Sequence, residues 1–428
     1  MADNAFASLA SLTALMDKCV HCGFCLPACP SYLLTGKETD SPRGRIYAMR
    51  AGLDGRTDMT PTVVEHFDTC LGCMACETAC PSGVKYAPLI EQTRAAVETH
   101  HRRTGGERWL RRLLFNTLPY PSRMSLLAWP LLLLGPLRRS PALLRLIPER
   151  FRPLLTLAPE VTIASLSART PERTPATGER RMRVGLVTGC VQRTFFGSVN
   201  EATARVLAAE GCEVIAPPTQ GCCGALGLHA GEADRARAFA RSLIETFERA
   251  QVDVVAINAA GCGSAMKEYG HLLRDDPAWA ARADAFSRKV RDVSELLAQL
   301  GPARAPRHRI EARVAYHDAC HLGHAQGIRQ QPRTILSEIP GLTLVPVADA
   351  DICCGSAGIF NLTQPAMASE LGRRKASVLF DATPDLVVTS NPGCILQIQS
   401  AAREAGHPYR VLHIVELLDA SITGRAIL

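Results

Sequence analysis

Aromatic residues are scarce in this chain: 3 Trp, 7 Tyr and 12 Phe make up 5% of its 428 residues. No basic helix interleaved with aromatics is present, so a nucleic-acid partner is not expected. Long hydrophobic runs are also missing. The stretch 126–134 is rich in leucine, but Pro130 interrupts it and it falls short of the ~20 residues that span a bilayer. Met1–Met16 lacks the basic start and apolar core of a signal peptide and carries no twin-arginine pair. A cytoplasmic protein with reduced thiols is therefore expected. No Gly-x-Gly-x-x-Gly run links a strand to a helix, which excludes a dinucleotide-type flavin fingerprint on this chain.

The length suits two to four domains, and a composition of 47% hydrophobic and 21% charged residues is that of an ordinary globular protein. The net charge of +7 is unevenly spread. Residues 101–183 hold 16 Arg and 5 Glu with neither Lys nor Asp, a surplus of +11, which leaves −4 for the rest. The same segment carries Leu/Trp clusters at 109–115 and 126–134. Arginines facing anionic lipid above a Leu/Trp face would suit peripheral contact with the inner face of the cell membrane over Trp109–Arg152. Packing of these leucines on the protein itself or on a partner is the alternative. Residues 165–179 (SLSARTPERTPATGE) read as a linker.

What the chain has in abundance is cysteine, 17 in all. Eight fall in two runs of one pattern: Cys19-x2-Cys22-x2-Cys25-x3-Cys29-Pro30 and Cys70-x2-Cys73-x2-Cys76-x3-Cys80-Pro81. This run ligates [4Fe–4S] clusters in bacterial two-cluster ferredoxins, where the fourth Cys serves the other cluster. The predicted sets are Cys19, Cys22, Cys25 and Cys80 for one cluster, and Cys70, Cys73, Cys76 and Cys29 for the other. Zinc usually takes two Cys-x2-Cys pairs, and a disulfide framework needs an oxidising compartment. Pro30 and Pro81 are expected to turn the chain away after each fourth cysteine.

The remaining chemistry lies in an internal repeat. Arg183–Cys190 matches Arg313–Cys320, Gly221-Cys222-Cys223-Gly224 matches Ile352-Cys353-Cys354-Gly355, and Gly261-Cys262 matches Gly393-Cys394, at offsets of 130 to 132 residues. Such a period is far too long for stacked repeats and indicates a duplicated domain. Strands are expected at 184–188, 213–216 and 252–258, with helices at 199–209 and 234–248. The second unit should repeat this with strands at 314–317, 342–347 and 385–390. Alternating strands and helices imply parallel sheets, with the cysteines just past strand carboxyl ends, where open α/β sheets bind ligands. Cys190, Cys222, Cys223 and Cys262, and likewise Cys320, Cys353, Cys354 and Cys394, then form a metal or cluster site in each unit. Inert core cysteines and a redox disulfide are the alternatives. Cys212 has no counterpart and reads as core. His317, His321 and His324 flank Cys320 alone, and structural hydrogen bonding is their expected role, with a ligand or proton-donor role the alternative.

The order of these motifs resembles the iron–sulfur subunits of bacterial glycolate dehydrogenase (glycolate oxidase), on the strings CVHCGFCLPACPSY, DTCLGCMACETACPSGVKY, GCCGALGLHAGE and HDACHLGHAQGIRQQPR. The resemblance covers nearly the whole chain. It implies partner subunits that oxidise glycolate to glyoxylate on FAD, and a chain that passes the electrons toward the membrane quinone pool with no catalytic residue of its own. Related architectures occur with D-lactate and glycerol 3-phosphate as donors, and in heterodisulfide reductase, a thiol/disulfide enzyme. That last family adds a fifth cysteine per domain, where this chain has Ala265 and Gln397. The resulting expectation is a multidomain protein of α+β and α/β class. A helical two-cluster ferredoxin-like domain (1–100) and a basic connection (101–181) precede Cys-Cys-Gly domains at 182–302 and 303–428.

Overall fold

The computed structural model describes residues 4–139 and 168–427, with 131–139 described as backbone only. The N-terminal part is helical: α1 (Pro30–Thr35), α2 (Pro42–Leu53), α3 (Pro61–Asp68) and α4 (Tyr86–His100). Each of the first three opens on a proline, whose fixed φ suits the first helical turn and whose missing N–H costs nothing there. Pro30 thus starts a helix rather than simply turning the chain. Ser41 and Thr60 cap α2 and α3 by accepting from Gly44 N and Val63 N. Phe6, Leu9, Met49, Phe67, Leu89 and Ile90 form this part's own core.

Two helices follow, the amphipathic α5 (Gly105–Thr117) and the leucine-rich α6 (Pro121–Arg139). Their inner faces bury Leu114, Phe115, Met124 and Ala128, while Trp109, Leu126, Leu127 and Trp129 are exposed. The charge of this stretch is not all outward. Arg103 pairs with Asp68 at 2.8 Å and Glu98 at 2.6 Å, and Arg111 pairs with Glu98 at 2.9 Å. Part of the predicted membrane-facing segment, 140–152, lies outside the described residues.

The first repeated domain is a five-stranded sheet: β1 (Arg173–Thr174), β2 (Met182–Val187), β3 (Cys212–Ile215), β4 (Val254–Ile257) and β5 (Val290–Asp292) in the order β1-β3-β2-β4-β5. All pairs are parallel except β1 on β3. The stretch predicted to be a linker therefore supplies an edge strand. The crossover helices are α7 (Gly197–Ala209), α8 (Ala233–Ala250) and α9 (Ala260–Lys267), and α10 (Val293–Gln299) follows β5.

The second domain repeats the plan with β6 (Ala312–Tyr316), β7 (Leu342–Val345), β8 (Leu386–Thr389) and β9 (Arg410–His413), all parallel, in the order β7-β6-β8-β9. Its helices are α11 (Gln330–Ser337), α12 (Pro365–Asp381), α13 (Pro392–Glu404) and α14 (Ile414–Thr423). The domains pack reciprocally: α7 of the first meets α14 of the second, and α10 meets α11. Val184, Leu186 and Leu207 share one core with Val314, Leu336 and Leu417. Cys212 is fully buried in that core. Arg205 on α7 forks onto the buried Asp419 on α14 at 2.8 and 2.9 Å.

Candidate metal centres

Both ferredoxin-type runs fold as loops in which the middle cysteine sits between two left-handed residues. His21 and Gly23 flank Cys22, and Gly72 and Met74 flank Cys73. Alternating hands of backbone curl each loop, so its sulfurs converge instead of spreading along a helix. Cys19, Cys22, Cys25 and Cys80 line one small cavity. Cys29, Cys70, Cys73 and Cys76 line another. The fourth cysteine of each run thus lies with the other run's first three.

The two cavities differ in burial. Cys22 is exposed on the outer one, while Cys29, Cys70 and Cys73 are buried on the inner one. The inner set also has a cation that its spacing did not reveal. Arg45 is 1% exposed and donates from Nη2 to Ser31 Oγ and Thr69 Oγ1, both at 3.0 Å. Ser31 Oγ lies 3.2 Å from Cys29 Sγ, and Gly72 N donates to Cys70 Sγ at 3.4 Å. Burial alone would raise the Cys70 thiol, but the Arg45 and Arg94 guanidiniums overcome it and hold Cys70 below its usual range. Burial and the neighbouring thiols push Cys73 and Cys76 well up.

In the repeated domains every cysteine of the two sets follows a strand's carboxyl end. Cys190 and Cys320 come after β2 and β6, the Cys-Cys pairs after β3 and β7, and Cys262 and Cys394 lie on α9 and α13 after β4 and β8. Gly224 and Gly355 have φ of +81° and +92°. A Cβ there would come within 3.0 Å of Ala236 O and 2.5 Å of Ala368 O, so only glycine lets the Cys-Cys turn sit this close to its helix. Cys190 and Cys222 sulfurs are 3.5 Å apart, and those of Cys320 and Cys353 4.0 Å apart. A hydrogen bond with Cys222 and burial raise Cys190, and contact with Cys354 and burial raise Cys394. Cys354 itself is held well below the usual thiol range by Cys353 and Cys394, with His317 alongside. Thiols crowded like this favour a cationic centre that takes them all as thiolates, so the donor sets fit iron–sulfur cores.

The three histidines separate. His321 Nε2 lies 2.8 Å from Gly72 O and its ring packs tilted against His229, at 4.9 Å between centroids. His324 bridges Thr78 Oγ1 and Asp351 O, both at 3.0 Å. Both pin the ferredoxin-like part to the second domain. His317 points instead at Cys354 and Cys394, and the three ligand atoms lie within 4.8 Å of one another. The inner cavity's Cys73 shares an apolar cluster with Cys320 and Cys353. Arg45, Arg94 and Tyr86, whose hydroxyl lies 3.9 Å from Cys70 Sγ, had no signal in spacing, because each reaches its cysteine from a separate helix.

The chain matches the 4Fe-4S dicluster domain over residues 15–84 and the cysteine-rich CCG domain over 184–267 and 314–399. It is 37% identical over 418 residues to the probable glycolate oxidase iron-sulfur subunit of Bacillus subtilis (strain 168), covering 94% of this chain and 92% of that one. With the glycolate oxidase iron-sulfur subunit of Escherichia coli (strain K12) it shares 35% identity over 413 residues, 96% and 95% of the two chains. Lactate utilization protein A of Exiguobacterium is 30% identical over 239 residues, 56% of this chain and 98% of that one. Two four-cysteine sets in a dicluster domain, two Cys-Cys-Gly domains behind them and near full-length identity make the chain a member of the glycolate oxidase iron–sulfur subunit family, an electron-transfer component of an oxidoreductase.

Proposed function

We propose that this chain takes electrons from FAD-containing subunits that oxidise glycolate to glyoxylate and passes them toward membrane quinone. The observation that carries this reading is the crossed grouping of cysteines. Cys19, Cys22, Cys25 and Cys80 would hold an outer [4Fe–4S] cluster, and Cys70, Cys73, Cys76 and Cys29 an inner one. Such clusters carry single electrons, and the chain's own residues fix their spacing and surrounding charge. Cys190, Cys222, Cys223 and Cys262 would serve a centre in the first repeated domain, and Cys320, Cys353, Cys354 and Cys394 one in the second. The packing of Cys73 on Cys320 and Cys353 supports a path from the inner cluster into the second domain.

Among the described residues no helix is long and apolar enough to cross a membrane. Exposed Trp109, Leu126, Leu127 and Trp129 support peripheral contact with the cytoplasmic face of the membrane through α5 and α6. A cavity beside the inner cysteine set is lined on one side by Leu110, Ile359 and Phe360 with His229 and His321, and on the other by charged residues including Arg94 and Glu107; the apolar side and imidazoles suit a quinone ring.

The test is anaerobic purification with partner subunits. About eight irons from the ferredoxin-like part and glycolate-dependent reduction of the cluster EPR signals are expected. The flavin-free chain alone should oxidise no hydroxy acid. Iron for one cluster or none would sink the assignment of the cysteine sets. Reduction by D-lactate but not glycolate would move the complex to the donor named in the lactate utilization relatives.

A further inference from the structure

We propose that His317 is a ligand of the centre in the second repeated domain, so that the two domains hold chemically different centres: thiolate only in the first, thiolate and imidazole in the second. This rests on the reading of the Cys-Cys-Gly cysteines as metal-binding. His317 lies immediately past β6, 0% exposed. Neither ring nitrogen has a hydrogen-bond partner. An imidazole buried without partners loses its hydration with nothing in return, which a fold does not bear without compensation. The His317 nitrogen, Cys354 Sγ and Cys394 Sγ lie within 4.8 Å of one another, near enough to share one metal atom. Neutral imidazole and thiolate are both good ligands for iron.

The repeat supplies an internal control. The offset that aligns Cys190 with Cys320 puts Val187 where His317 stands, and Val187 offers no lone pair. The rest of the second site is polar in the same sense. Asn391, where the first domain has Ala259, reaches Cys394 Sγ at 3.4 Å. Ala236 and Ala368, each packed on its domain's Cys-Cys-Gly glycine, set the register that puts the buried Lys375 in the place of Leu243.

The experiment uses the full chain, purified anaerobically with 15N-histidine, and pulsed EPR on stepwise reduced samples. Wild-type protein should show one centre with the strong coupling of a directly bound nitrogen. His317→Ala should lose that coupling, and the centre's potential should fall, because thiolate-only ligation favours the oxidised state. His317→Cys should keep the iron but lose the coupling. If the wild type lacks a bound-nitrogen signal while a Cys353→Ser/Cys354→Ser variant loses iron, the domain holds metal and His317 is not a ligand. If that double variant keeps all its iron, the reading of the second domain as a metal site fails first, and the inference with it.

Discussion

The two Cys-Cys-Gly domains share strand order, cysteine positions and a left-handed glycine, yet their sulfurs sit in different surroundings. In the first, Val187, Leu243 and Ala259 occupy the places held by His317, Lys375 and Asn391 in the second. The first has a buried tyrosine instead, Tyr269, which donates from its hydroxyl to Cys223 O at 2.6 Å, where the second has Ala401. Even the caps of the last helices differ. Asp292 caps α10 and His413 caps α14, each with a glutamate three residues on, and both caps are fully buried. Duplication copies the backbone that converges four thiols, and single substitutions on that scaffold set the charge and hydrogen bonding around them.

The comparison breaks most sharply on electron flow. Replacing Cys353 and Cys354 with Ser should drop glycolate-dependent turnover of the complex to background, since Cys73 packs against Cys320 and Cys353. The same change at Cys222 and Cys223, which lie outside that cluster, should leave measurable turnover. Equal losses from both would show that the path does not favour the second domain.

The caps should respond oppositely to pH. Burial pushes Asp292 up to about 7 and His413 down to about 4. A raised carboxyl pKa means the folded state holds the extra proton, so Asp292 lowers stability as pH rises from about 4 to 7. A lowered imidazole pKa means the unfolded state holds it, so His413 raises stability as pH rises from about 4 to 6.5. The swings are about 4 kcal/mol for Asp292 and about 3 kcal/mol for His413, and they largely oppose each other in the wild type. Asp292→Asn, which keeps a capping oxygen, should raise the thermal midpoint at pH 8 relative to wild type. His413→Asn removes the opposing rise, so its stability should fall between pH 5 and 6.5, where the wild type stays nearly flat. Scanning calorimetry across this range checks both, and parallel curves for all three proteins would contradict the assignment.

Smaller effects sharpen the same contrast. Tyr269→Phe removes a bond to a buried carbonyl and should cost the first domain about 1 kcal/mol, read as a lower unfolding midpoint. Asp419→Ala should cost about 1 kcal/mol, a modest figure because its partners Arg205 and Arg425 are about half exposed and readily rehydrated. Its place is one-sided, since no described ion pair joins α10 to α11 across the reciprocal contact.

The cysteine runs, the repeat and most strand positions were legible in the sequence because they rest on spacing and period. Strand β2 falls at 182–187 against an expected 184–188, and β7 at 342–345 against 342–347. The edge pieces were not legible. Strand β1 lies in a stretch rich in Pro, Thr and Arg, and its pairing with β3 is set by the sheet edge rather than by its own residues. Strands β5 and β9 are short and run directly into helices, so no turn signal marks them. Arg111 looked like part of a basic surface, but Glu98 on α4 draws it inward.

By itself the sequence determined which thiols exist, their local loops and the fact of duplication, because these follow from order and spacing along one chain. Only the tertiary structure decided that Arg45 stands beside Cys29 and Cys70, and that His317 rather than His321 or His324 faces the second domain's sulfurs. Those relations join residues on different helices and strands. They are fixed by how buried faces pack, and that is not written at any single position.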